Sequence, residues 1–149
     1  MGVTCDSHTI NIAVVEEGQV LEDLPERITT PVGLEEHARL WALLGDVERA
    51  IDVIKPEKVV VLPPEQTYQA AHSQFSPRIA RETIVRMGAH RKGIGIEVLA
   101  RATVKARLDL PRKGGLETHL DTAFPEAVGK YWRSGRGLAA MAAAAGERS

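Results

Sequence analysis

The chain contains a single cysteine, Cys5. That excludes an internal disulfide framework and a zinc site built from cysteines. Aromatic residues make up only 4% of the sequence, too few for extensive stacking against nucleobases. No apolar run is long enough to cross a bilayer, and the opening residues lack the basic-then-apolar pattern of a secretion signal. A cytoplasmic protein is therefore the default expectation. No glycine-rich phosphate loop follows the first predicted strand, where "DSHTI" stands, which counts against a small nucleotide-type ligand module. Internal repeats and dividing linkers are also missing, so 149 residues are expected to form one domain, 1–149, large enough to bury a core.

What is present is an ordinary globular composition, 44% hydrophobic and 26% charged, with a formal net charge of −1. The charge is unevenly spread. Through Glu65 there are 5 basic and 13 acidic residues, a balance of −8; beyond it there are 14 and 7, a balance of +7. Such a chain can turn one basic face to a polyanion while staying near neutral overall. Interleaved strands and helices could equally mix the two halves in space.

Alternation and β-branched residues predict strands over 2–7 and 10–16, with a third from Val20 to about Thr30. Glu17-Gly18 reads as a turn. Helical spacing then runs through Leu34, Ala38, Trp41, Leu44, Val47, Ile51 and Ile54, and Lys55-Pro56 ends it. "KVVVL", Lys58 to Leu62, is a continuously apolar strand of the kind covered on both faces, stopped by Pro63-Pro64. Residues 66–76 read as a loop. Pro77 is expected to open a helix running to about Met87, with Ile79, Ile84 and Met87 facing inward. "GIGIEVLA" is the next strand. A short helix and a basic loop closed by Gly114-Gly115 follow, then a helix over Leu116–Phe124 and a last one from about Glu126 to Ala145, with a possible break at "RSGRG". This order predicts an α/β fold: a mixed five-stranded sheet, three antiparallel strands and then alternating helices and strands, with helices on both faces.

Two acids stand out on this plan. Asp6 lies on the first strand and Glu65 at the C-terminal end of the fourth. Sites in α/β sheets form beyond the carboxyl ends of neighbouring strands. If those strands adjoin, Asp6 and Glu65 can share a hard divalent cation, magnesium or manganese. The bland reading of Asp6 is an edge-strand aspartate bonded to a loop, and that of Glu65 a solvated loop acid. Cys5 is expected to pack as a small apolar residue. His8 and His72 are expected to be surface histidines, and His37, His90 and His119 suggest no function.

The layout resembles the ribonuclease-H-like superfamily, and most of all the RuvC-type Holliday junction resolvases. "VTCDSHTINIAVVEEGQ" resembles the family's first hairpin with its acid, and "IKPEKVVVLPPEQ" its fourth strand with its acid. "GIGIEVLARATVKARLDLPRKGGLETHL" resembles the fifth strand, a helix containing "VK", a basic glycine loop and the next helix. "GRGLAAMAAAA" resembles the small-residue final helix. The resemblance implies a structure-selective DNA endonuclease using Mg²⁺, with Mn²⁺ as the other candidate. It further implies Asp6 and Glu65 as metal ligands, Lys105 near the scissile phosphate, branched DNA as the partner and a homodimer. Ile79, Ile84 and Met87 are the expected dimer contact.

The sequence departs from that pattern in two places. The family's remaining acids belong at the start of the final helix, where Arg133 and Arg136 stand here; a shift by one residue offers Ser134 and Gly137. Ser7-His8 replaces the proline and glycine common after the first aspartate. Two-metal hydrolysis needs enough anionic ligands to hold two cations about 4 Å apart. His8 could add a ligand, or Glu126, Glu82 or Asp121 could reach in from another helix. Alternatively, the arginines could hold phosphate directly, which suits binding better than cleavage. The alternative reading is thus a catalytically degenerate relative that binds nucleic acid or protein. Arg101, Arg107, Arg112, Lys113, Arg133 and Arg136 are the candidate phosphate contacts, though a solvated basic face is the commonest fate of such residues. Gln66, Tyr68 and Phe75 are candidates for base or dimer contacts.

Overall fold

The computed structural model describes residues 1–65, 72–126 and 129–149, with the backbone alone for 72–75. Strand β1 (Gly2–Cys5) pairs antiparallel with β2 (Thr9–Ala13), which pairs antiparallel with β5 (Arg27–Thr29). On its other side β1 runs parallel to β6 (Lys58–Leu62), and β6 runs parallel to β7 (Gly95–Val98). The sheet order is β5-β2-β1-β6-β7. The expected five-stranded mixed sheet is therefore present, and β1 lies at its centre rather than its edge.

The predicted second and third strands are each broken. Backbone pairing shifts at Val14 into a separate ribbon of β3 (Val15–Glu16) and β4 (Gln19–Val20). Glu17 and Gly18 close it with φ of 51° and 76°, the paired positive values of a tight hairpin turn. Asp23, at φ 60°, and Pro25, which has no N–H to donate to a ladder, keep the chain irregular until β5.

Helix α1 (Glu36–Ile54) ends where Lys55 turns left-handed and its N–H caps Ile51, immediately before Pro56. Its buried stripe is Leu43, Leu44, Val47, Ala50 and Ile51, whereas Trp41 is 71% exposed and Leu34 precedes the helix. Helix α2 (His72–Arg91) contains Pro77 instead of starting at it. Ile84, Val85 and Ala89 face the core, but Ile79 and Met87 are exposed. A side chain at Gly88 would meet Val47, so the missing Cβ lets α1 and α2 approach closely. These helices cover Val3, Cys5, Ile10, Ile12, Val59 and Val61 on one face of the sheet.

The other face is covered by α3 (Arg101–Arg107), α4 (Leu120–Ala123) and α5 (Arg136–Glu147). Helix α5 starts ten residues later than the predicted start at Glu126, after Gly135 turns the chain at φ 124°. Its alanines are almost all buried against the sheet. A Cβ at Gly2 would overlap the Ala139 carbonyl, so β1 and α5 touch nearly backbone to backbone. Phe124 and Trp132 meet edge to face at 5.6 Å beside it. Among the described residues no helix is long and apolar enough to cross a membrane.

Candidate functional site

Asp6 leaves the sheet directly after β1. Side chains alternate along a strand: Val3 and Cys5 face α1 and α2, whereas Thr4 donates to the Gly135 carbonyl at the start of α5. Asp6 continues the Thr4 side. Its carboxylate closes the turn into β2: the amides of His8 and Thr9 both donate to Oδ1 at 2.7 Å, and the Thr9 hydroxyl donates to Oδ2. The Asp6 amide completes the turn by donating to the Thr9 carbonyl. Burial pushes the Asp6 carboxyl up, but the bonds from Thr9 and His8, with the nearby Arg27 charge, outweigh it and hold the group below its ordinary range. Asp6 in turn helps Arg81 keep its proton against the effect of burial.

Glu65 stands at the matching end of β6. Thr4 is level with Leu62 in the parallel register, the last pair of the two strands before each chain leaves the sheet at this end. The two acids therefore follow the carboxyl ends of adjacent parallel strands, Asp6 directly after β1 and Glu65 three residues past β6, and Glu65 is exposed. Among the described residues no third acid completes the set. Glu82 is 6% exposed beneath the α1–α2 face; burial raises its carboxyl, and the partial relief comes from Arg86, 4.0 Å away. The same carboxylate, after burial itself, helps push the Cys5 thiol up. Asp121 pairs with Arg133, while Glu126 and His8 are exposed. Among the described residues no three His, Cys, Asp or Glu side chains are placed to hold a metal ion. Among the described residues the donor set therefore does not fit a two-ion centre: three of the roughly four acceptor positions of Asp6 serve its own turn, and no further acid stands with Glu65.

The start of the final helix is occupied by ion pairs. Arg136 is 1% exposed and reaches Glu22 at 3.0 Å and Glu26 at 3.1 Å. Arg133, exposed, donates to both oxygens of Asp121 at 2.9 and 3.0 Å. Arg27 adds a tie that the sequence did not signal. It donates to Asn11 at 3.0 Å and to the Ser134 carbonyl, and lies 4.2 Å over the Tyr131 ring. Nothing in the pattern around Arg27 marks it, because its role comes from β5 lying beside β2.

The remaining basic residues divide into paired and displayed. Arg101 follows β7 at the same rim and binds Glu117 at 2.8 Å. Arg107 binds Glu97 at 2.8 Å, and Lys58 takes the other oxygen at 2.9 Å. Lys105 donates to the Arg112 carbonyl at 3.0 Å and to that of Gly114. The side chains of Arg112 and Lys113 are exposed on the loop so held. Gln66 and Tyr68, and the side chains of His72 and Phe75, lie outside the described residues.

No protein-family model matches the sequence, and no curated protein matches it either. Solved structures do. Two structures of Thermus thermophilus RuvC superpose on 99% of this chain with a TM-score of 0.74, at 15% identity. The fold is that of RuvC. The superposition takes in 92% of the chain in one of these RuvC structures and 90% of the chain in the other, which is in complex with a Holliday junction substrate. At this identity the likeness concerns architecture. On the RuvC fold the present chain carries one rim with two acids, a final helix tied down by arginines and a displayed basic loop.

Proposed function

We propose that this RuvC-like domain binds branched DNA along the rim that carries Asp6 and Glu65, and holds it without cutting it by a two-metal route. The observation that supports binding is the Arg112–Lys113 pair, exposed on a braced loop in a fold whose Thermus counterpart was solved with a junction. Phosphate neutralisation by exposed cations is what gives such contacts their affinity. Arg101, Arg107, Arg133 and Arg136 already hold carboxylates, so they add less to a phosphate surface than their number suggests. Four-way junctions have two-fold symmetry, which suits a homodimer; exposed Ile79 and Met87 on α2 are its candidate face.

A second reading is a Mg²⁺-dependent endonuclease, with Mn²⁺ as a substitute and Lys105 beside the phosphate. It is favoured by one observation, the shared rim of Asp6 and Glu65. The two readings separate in one experiment: a labelled synthetic four-way junction titrated with protein in Mg²⁺, with binding and strand integrity both followed. The expected result is intact DNA bound more tightly than linear duplex. Changing Arg112 and Lys113 together to Ala should weaken binding about 10-fold and lower the salt slope by about 1.8. Cutting that disappears in Asp6→Asn and Glu65→Gln would replace this reading with the hydrolytic one. No binding at low salt would end both.

A further inference from the structure

The loop over residues 110–115 owes its shape to two side chains that sit outside it. Lys105, half-buried on α3, donates its ammonium hydrogens to the carbonyls of Arg112 and Gly114. His119, also half-buried, donates from Nε2 to the carbonyl between them, that of Lys113, at 3.0 Å. Three successive carbonyls are thereby turned toward the body of the protein. The local backbone fits this arrangement. Asp109 and Gly114 take positive φ of 56° and 86°. A side chain at Gly114 would press on the Thr118 hydroxyl and approach His119. Thr118 itself donates to the Gly115 carbonyl at 2.8 Å. The Arg112 and Lys113 side chains are exposed.

A lysine whose ammonium already serves two carbonyls is poorly available to a phosphate. An ammonium has three hydrogens, and redirecting them would release the loop that carries the two free cations. Resting on the DNA-binding reading above, we infer that Lys105 and His119 are positioning residues. They hold the backbone of residues 112–114 so that Arg112 and Lys113 meet a DNA backbone phosphate together, and they do not contact the DNA. This is a different role from a lysine at the scissile phosphate, and it gives a function to a histidine that the sequence alone does not single out. Preorganising the loop matters because ordering it on binding would otherwise cost affinity.

The test is a double-mutant cycle on junction binding, supported by a measurement without DNA. Lys105→Met and His119→Leu are each made in the native chain and in a chain with Arg112 and Lys113 both changed to Ala. If the two residues act through the loop, each weakens junction binding about 5- to 10-fold in the native chain and less than about twofold in the altered chain. His119→Leu removes no lysine or arginine, yet it should lower the salt slope, because the loop cations lose their register. A Lys105 that touches phosphate would instead cost the same factor in both backgrounds, and that result overturns the inference. The DNA-free arm is trypsin cleavage after Arg112 or Lys113. It should speed up at least about fivefold in Lys105→Met and His119→Leu, with the thermal midpoint moved by only a few degrees. Unchanged cleavage overturns the brace by itself. Failure of the native chain to bind a junction removes the DNA reading and the positioning role with it, while the cleavage arm still decides whether the brace exists.

Discussion

The fate of Asp6 is decided by three hydrogen atoms. Two backbone amides and a hydroxyl converge on one carboxylate, and its charge is further balanced by Arg27 and by a position next to Arg81. Hydrogen bonds to a charged acceptor are among the stronger contributors to stability. Replacing Asp6 with Asn keeps the size and leaves one oxygen to accept, more weakly, from the His8 and Thr9 amides, but its NH2 cannot accept from the Thr9 hydroxyl, so it should destabilise the fold by about 1 kcal/mol at neutral pH. The pH dependence has a definite sign. The folded group is depressed below its ordinary value, so its contribution is present above the unfolded carboxylate range and lost as pH falls through the folded value. Urea unfolding of the native chain and Asp6→Asn should therefore differ near neutrality and converge in acid. A carboxylate kept for a cation behaves oppositely: without the ion, its removal relieves repulsion and stabilises. Asp6 was visible in the sequence as an acid out of place on a strand, but its partners were not, because Thr9 and His8 could be read as partners only once the turn was drawn.

At the scale of elements, α5 carries the largest share of the second core face, and glycine sets how closely it lies. Gly2 faces the Ala139 carbonyl, a backbone group that a Cβ would overlap at 1.9 Å; Gly146, in the last turn of α5, faces a methyl of the buried, stiff Val60 side chain at 2.5 Å, a smaller overlap at a helix end that has room to shift. Gly2→Ala should thus cost about 3 kcal/mol or more, and Gly146→Ala clearly less, both measured by denaturant midpoint. Equal costs would mean that α5 shifts as a rigid body to make room. The alanine-rich tail was legible as a closely packed helix. Its start was marked only as a break at "RSGRG" inside a longer helix from about Glu126, and that break is where α5 begins, after Gly135 at φ 124°. The inward face of α1 was half legible: Leu44, Val47 and Ile51 belong to the core, but Trp41 falls on the same period and is exposed. Periodicity gives a stripe without saying how wide the neighbouring layer is. The same limit put Ile79 and Met87 on the inside of α2.

For the whole molecule, the polarised charge of the sequence is partly cancelled in space. Acids of the first half find bases of the second: Glu22 and Glu26 with Arg136, Glu48 with Arg91, Asp52 with Lys92. The DNA surface left over is small, and salt should weaken binding with a shallow slope. Metal should matter little to the fold. An ion held by the rim with a Kd of about 1 mM would add about 1.4 kcal/mol at about 10 mM, raising the thermal midpoint by roughly 3–5 °C. The expected shift for the native chain on adding Mg²⁺ is below about 1 °C. A rise of several degrees that vanishes in Asp6→Asn would show that the rim does grip a cation.

Short-range chemistry determined the elements of this protein. Alternation, the apolar run of β6, Lys55-Pro56 and the small residues of α5 are all properties of neighbours in sequence, so the sheet and the RuvC-like order could be read from them. The site is a property of residues far apart in the chain. Only the tertiary structure decided that Glu22 and Glu26 close over Arg136, that Arg27 reaches Asn11 and the Ser134 carbonyl, and that Lys58 and Arg107 meet on Glu97. The physical reason is that a charge acts on whatever folding brings within a few ångströms, and sequence spacing does not record that distance.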